Sequence, residues 1–270
     1  MNQSFISKDD ADLTDEFVRQ GYVIRAAEDI GALDILRRQT ASAAANALGI
    51  ELPEDIGGFL NGIQNYIQPD GLNAMRLTII DSLMSEPDFH ANYFKCAKSL
   101  VESLASNELA MQRNIGLSVQ LPGDEGSLLP LHSDAWGSEC SPFEVVLWIP
   151  LVDCFDTKSM FLLPPEANAA WVNRLPEFED RGIEALYKEI EPHLSWINIK
   201  YGDVLVFTPS GMHGNRVNGT AETRWSFNLR FKGLFTPYSG KRLGEYFMPI
   251  SLRPASRVGL EFEMPGGFND

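Results

Sequence analysis

The segment PLHSDAWGS, Pro130 to Ser138, sets a histidine and an aspartate two residues apart in a chain with only four histidines. On an extended strand residues i and i+2 point to the same side, so His132 and Asp134 are expected to aim an imidazole and a carboxylate at one place. That place can hold a metal, or it can be nothing more than a polar strand end. His213, in GMHGN, stands far along the chain, and Arg224 and Ser226 follow it in TRWSF. The remaining histidines, His90 and His193 (in EPHLSW), sit on no motif and are expected in structural, capping or surface roles.

Two imidazoles and one carboxylate can occupy one face of an octahedral metal and leave the opposite positions open. That donor set suits non-haem Fe(II), whose chemistry needs vacant sites for a co-substrate and O2. A closed zinc site would want four protein ligands, often thiolates. Cys96, Cys140 and Cys154 are odd in number and show no CxxC spacing, so reduced, unpaired thiols are expected. A keto acid chelating such a metal projects its second carboxylate away from it, and a planar guanidinium can grip that group with two parallel hydrogen bonds. Arg224 is the candidate, with Ser226 on the same strand face. Arg230 shares their parity and is the reserve.

Other positions are open to more than one reading. Ser118 and Gln120, in RNIGLSVQ, share parity with Asn114 and can face either a keto acid or the core. Trp136, Ser138 and Glu139, just after HSD, and Asn215 and Arg216, just after His213, are candidate substrate contacts. Packing or solvated loops are the alternatives. Asn73 and Arg76, in the helical region, can face the same pocket.

These side chains need a scaffold. The first 110 residues read as mainly helical. Thr14 or Asp15 is a candidate cap for a first helix, GYVI reads as a brief strand, and Asp29 can cap LDILRRQTASAAANAL. PEDIGGFLNGIQNYIQ is ambiguous because of its paired glycines. Leu72, Met75, Ile79 and Leu83 recur at helical spacing. EPDFHANYFKCAKSLVESLA reads as one more helix. From residue 111 the pattern changes to short alternating or apolar strands: RNIGLSVQ, FEVVLWIPLVD, SMFLL, HLSWINIK, VLVFTP, GMHGNRV and TRWSFNLRFKGLF. A polar helical insertion, LPEFEDRGIEALYKEI, interrupts them, and Asn218-Gly219 signals a hairpin turn. Several short strands with tight turns predict an antiparallel barrel or jelly roll over 111–235, supported by the helices of 1–110 and followed by a segment 236–270, all in one domain of 270 residues.

The formal charge of −15 argues against a nucleic-acid partner and against an anionic membrane surface. No apolar run reaches the ~18 residues that cross a bilayer. The polar N-terminus lacks a signal-peptide core, so a soluble cytoplasmic protein is expected.

The order HSD, GMH, RWS resembles the Fe(II)/2-oxoglutarate-dependent oxygenases, and more narrowly their phytanoyl-CoA dioxygenase-like branch. The wording of LHSDAWGSECSPFEVVLWIPLVDCFDTKSMFLLPP is also similar to oxygenases of bacterial carbohydrate-biosynthesis clusters. The resemblance implies a double-stranded β-helix of the jelly-roll, cupin-like kind. It implies His132, Asp134 and His213 as Fe(II) ligands, and Arg224 with Ser226 on the far carboxylate of 2-oxoglutarate. O2 would be the oxidant and a small polar metabolite, such as a sugar or sugar-containing intermediate, the substrate. Related halogenases carry a small residue at the aspartate position, so Asp134 points to hydroxylation or another oxidation. Two other readings stay open: a cupin-like isomerase or lyase, which has no need of a keto-acid clamp, and a non-catalytic carbohydrate-binding jelly roll, which would bind no iron.

Overall fold

The structure is a computed structural model that describes residues 5–137 and 139–263; Ser138 lies outside the described residues. Helix α1 (Lys8–Gln20) starts earlier than expected, because Ser7 caps it by accepting from the Asp10 N–H. Thr14, the expected cap, instead returns its hydroxyl to the Asp10 carbonyl inside the helix. Gly21, at φ 79°, ends α1 in the left-handed conformation and turns the chain into strand β1 (Tyr22–Ala26). Helix α2 (Ile30–Leu48) begins at Asp29, whose carboxylate accepts from the Ala32 N–H at 2.9 Å. Helix α3 (Ile56–Asn61) settles the ambiguous stretch: Asp55 caps it. Helix α4 (Pro69–Met84) buries Leu72, Met75, Ile79 and Leu83, as their spacing predicts.

The single helix expected next is two, α5 (Phe89–Lys95) and α6 (Lys98–Leu104). The reason is remote in sequence. The Glu28 carboxylate accepts from the N–H groups of Ser99 and Leu100, each at 2.9 Å, and so starts a new helix there. The Cys96 carbonyl, at the break, accepts from the Glu28 N–H.

The remaining elements are β2 (Leu109–Gln112), β3 (Gly116–Gln120), β4 (Glu144–Pro150), β5 (Phe161–Leu162), α7 (Pro165–Val172), α8 (Ile183–Ile190), β6 (Ser195–Trp196), β7 (Asp203–Phe207), β8 (His213–Gly214), β9 (Arg224–Gly233), β10 (Phe247–Ser251) and α9 (Pro254–Leu260). The larger sheet runs β1-β7-β4-β9-β2-β10, with β3 also on β9; the smaller runs β6-β5-β8. Every strand pair within the two sheets is antiparallel, so the molecule is mainly antiparallel sheet with helices. Strands β1 and β10 enlarge the sheet beyond 111–235. The segment after Thr236 also reaches back to the chain beyond HSD: the Ser141 hydroxyl donates to the Pro237 carbonyl at 2.7 Å.

Strand β9 organises the interior. It pairs along one edge with β4 and along the other with β3 and then β2. Its sequence, RWSFNLRFKG, alternates strictly. Trp225, Phe227, Leu229 and Phe231 are fully buried on the helical side, with Phe89 of α5 edge-on to Phe227 at 5.3 Å. Burial of each aliphatic or phenyl side chain here contributes roughly 1.5–3 kcal/mol. Arg224, Ser226, Asn228, Arg230 and Lys232 take the opposite face. A buried strand with one wholly polar face is costly unless that face lines a site.

Asn218-Gly219 does not turn a hairpin. Strands β8 and β9 flank it but belong to different sheets. Asn218 is fully buried, donating from its amide to the carbonyls of Gln120 and Glu222, so it ties a loop to the barrel wall. Cys96 and Cys154 are buried and Cys140 half-buried, all unpaired. No helix among the described residues is long and apolar enough to cross a membrane.

Candidate metal centre

His132, Asp134 and His213 converge: one donor atom from each lies within 4.8 Å of the others. The convergence does not come from strand alternation. His132 forms an isolated two-residue bridge with His213 of β8: its N–H donates to the His213 carbonyl at 2.9 Å, and its carbonyl accepts from the His213 N–H at 2.8 Å. Asp134 opens a short 3-10 turn, Asp134–Trp136, that Ser133 caps. The turn swings the carboxylate back over both rings, and the Asp134 N–H is fixed on the Pro209 carbonyl at 3.1 Å.

Each imidazole is oriented by its own backbone. Nδ1 of His132 lies 2.8 Å from the Pro130 carbonyl, and Nδ1 of His213 lies 2.9 Å from that of Gly211. A carbonyl only accepts, so both Nδ1 atoms carry protons, and Nε2 is the atom each ring turns towards the cluster. Those Nε2 atoms face Asp134, at 3.7 Å from Oδ1 for His132 and 3.7 Å from Oδ2 for His213. Burial, then the neighbouring His132, pushes the His213 pKa down to about 4, so that ring is neutral at pH 7 and free to donate its lone pair.

The polar face of β9 runs past this cluster. Near one end Arg230 holds Asp134 Oδ2 at 2.7 Å and Glu144 at 3.2 Å. Burial works against its charge, but Asp134 and its other neighbours outweigh that, and its pKa is raised. At the other end Arg224 is only 4 % exposed and has no carboxylate partner among the described residues. It donates to the Ser159 carbonyl at 2.9 Å and to the Ser118 hydroxyl at 2.9 Å. Burial pushes its pKa down to about 10. Its Nε, the Ser226 hydroxyl, the Gln120 Oε1 and the Ser159 hydroxyl are buried without hydrogen-bond partners among the described residues. Strand register explains the gathering: Gln120 lies opposite Arg224 and Ser118 opposite Ser226. A cavity of about 60 Å³ adjoins Arg224, Ser118 and His213, between the two sheets.

The other expected positions fall variously. Gln120 donates to the Arg216 carbonyl at 2.6 Å. Asn215 is buried and holds the Leu129 N–H at 2.6 Å, while also lining the small cavity. The Arg216 guanidinium is paired with Glu184 of α8 at 2.8 and 3.0 Å and lies over the Tyr187 ring. Trp136 is exposed beside Leu175, Phe178 and Leu186 of the helical insertion. The Glu139 carbonyl accepts from the Lys241 N–H. His90 bonds the Arg113 carbonyl at 2.8 Å, and His193 lies beside Trp171, outside the cluster. Asn73 and Arg76 line a separate cleft described below. Asn228, not singled out in the sequence, lines both spaces; its parity with Arg224 was the available signal.

No model of a known protein family matches the chain, and no curated protein matches it. Its fold is that of solved non-haem metal enzymes. One is HygX from Streptomyces hygroscopicus with nickel and 2-oxoglutarate bound, 14% identical over 88% of this chain and 90% of that one, with a TM-score of 0.54. Another is the non-heme alpha ketoglutarate dependent carbocyclase SnoK from nogalamycin biosynthesis, 15% identical over 93% and 99%, with a TM-score of 0.53. At these identities the likeness concerns the fold, and the chemistry of this chain rests on its own residues.

Proposed function

We propose that this protein is an Fe(II)- and 2-oxoglutarate-dependent oxygenase acting on a small polar metabolite. In this reading the fold is a double-stranded β-helix forming one domain. The unpaired thiols suit the reducing cytoplasm. The observation that carries the reading is a buried arginine without a counter-charge, set beside the histidine–aspartate cluster. An isolated buried cation is costly, and a ligand carboxylate relieves that cost. The unpartnered Arg224 Nε and Ser226, Gln120 and Ser159 atoms fit a keto acid's distal carboxylate and the groups around it. A non-oxidative isomerase has no use for that clamp.

His132, Asp134 and His213 would hold Fe(II) as a facial triad, leaving positions for the keto acid and O2. When bound, Fe(II) would activate O2, the oxidant, and 2-oxoglutarate would supply two of the electrons that its reduction needs. The chain's own residues orient and exclude. The backbone carbonyls of Pro130 and Gly211 fix the ring tautomers, and Arg230 steadies the carboxylate ligand. Arg224 and Ser118 anchor the co-substrate away from the metal, and Phe207, Trp148 and Met160 line the space between with apolar surface that keeps water out. SnoK, whose fold is shared, is a carbocyclase, and the same site can serve hydroxylation or ring formation according to which substrate atom it presents.

Anaerobic titration with Fe(II) and 2-oxoglutarate tests this directly. The wild type should develop the weak visible charge-transfer band of the chelate, and Asp134→Ala or His132→Ala should abolish it. A wild-type protein that binds Fe(II) but never develops the band on adding 2-oxoglutarate would refute the co-substrate assignment.

A further inference from the structure

The small cavity at Arg224 has room for the end of an acid and little more. It shares Ser118, Leu129 and Asn228 with a cleft of about 470 Å³ between α4, the edge strand β3 and the turn 124–129. That volume is in the range of small-molecule sites. Asn228 stands where the two spaces meet: it is exposed, although Trp225 to Phe227 before it and Leu229 after it are buried. Gly116 opposite leaves the room, since a Cβ there would collide with the Asn228 amide.

Among the described residues two charged side chains line the cleft, and one of them is free to act. The Asp124 carboxylate is buried and spent on its own turn, accepting from the Gly126 N–H at 2.8 Å and from the Ser127 hydroxyl. Arg76, on α4, donates only to neutral oxygens: Asn73 Oδ1 at 2.9 and 3.3 Å and the Leu117 carbonyl at 3.3 Å. No carboxylate among the described residues lies within ion-pair distance of it, in a chain with 37 acidic residues against 22 basic ones. A guanidinium pre-set by Asn73 and facing a cleft of this size is built to receive an anionic oxygen group.

The geometry points to this cleft as a binding site for a pyranose-sized anion, with Arg76 holding its carboxylate or phosphate and Asn228 contacting its polar body at the junction. That this anion is the substrate rests on the oxygenase reading; the charge preference does not. Calorimetric titration of the protein loaded with Ni(II) and 2-oxoglutarate, using glucose, glucuronate and glucose 6-phosphate as probes, tests it. At least one anion should bind tenfold or more tighter than glucose, and which one does so separates carboxylate from phosphate. Arg76→Gln should bring that anion down to the level of glucose and leave Ni(II) and 2-oxoglutarate affinities within twofold. Arg76→Lys should keep part of the preference, showing that charge and not a folding defect is at work. Indifference to charge, whether all probes bind alike or none binds, overturns the proposal, as does a preference that survives Arg76→Gln. Failure of the oxygenase reading shows separately, in the Ni(II) and 2-oxoglutarate titrations, and the probe series can be repeated on metal-free protein.

Discussion

Arg224 and Arg230 sit on one strand, on one face, six residues apart, and both are largely buried. Their surroundings are opposite. Arg230 is held between Asp134 and Glu144 and completes a buried ion cluster. Arg224 meets a carbonyl, a hydroxyl and a cavity. The same residue type therefore meets two ends: one guanidinium has its counter-charges within the protein, and the other has none there and, on the proposed reading, is left for a ligand carboxylate. This contrast also bears on the choice between them as keto-acid clamp, since Arg230 has its carboxylates already and Arg224 has none.

Substitution by methionine should separate the two most sharply. Arg230→Met strands the Glu144 and Asp134 carboxylates and should destabilise the protein by about 3–5 kcal/mol, measured by urea unfolding of the metal-free protein. Equal stability of wild type and variant would mean the cluster is ornamental. Arg224→Met removes a cation that had no counter-charge, so stability should hold or rise in the same assay. Its cost should appear instead in 2-oxoglutarate binding, weakened roughly a hundredfold or more from losing two charge-assisted bonds of about 1.5–3 kcal/mol each. Fe(II) affinity should stay near wild type; unchanged 2-oxoglutarate affinity would remove Arg224 from the site. The smallest effect is expected from Ser226→Ala. The hydroxyl has no protein partner to lose, so stability should be unaffected, while 2-oxoglutarate affinity should drop a few-fold, about 1 kcal/mol. A destabilised Ser226→Ala would show that the hydroxyl is satisfied within the protein.

Much of this contrast was legible in the sequence. Alternation in RWSFNLRFKG put Arg224, Ser226 and Arg230 on one face, and scarcity of histidine drew attention to His132 and His213. What was missed has physical causes. Parity along a strand was the wrong reason to join His132 to Asp134, because a 3-10 turn capped by Ser133 brings them together. Partners distant in sequence decided other features: Glu28 breaks a helix 71 residues away, and Asn218 is recruited into the wall and not a hairpin. Which arginine was already spoken for depended on Glu144, on a different strand, and no local pattern reports that. The pairing of β10 with β2 likewise needs the folded topology.

The backbone bridge between His132 and His213 has a consequence for how such a molecule can diversify. Because main-chain atoms bolt the two histidines to each other, the α7–α8 excursion, which lies between them in the chain but outside the larger sheet, can lengthen or shrink without dragging the two rings apart. A change in that excursion would remodel the surface around Trp136 while the histidine pair stays where it was.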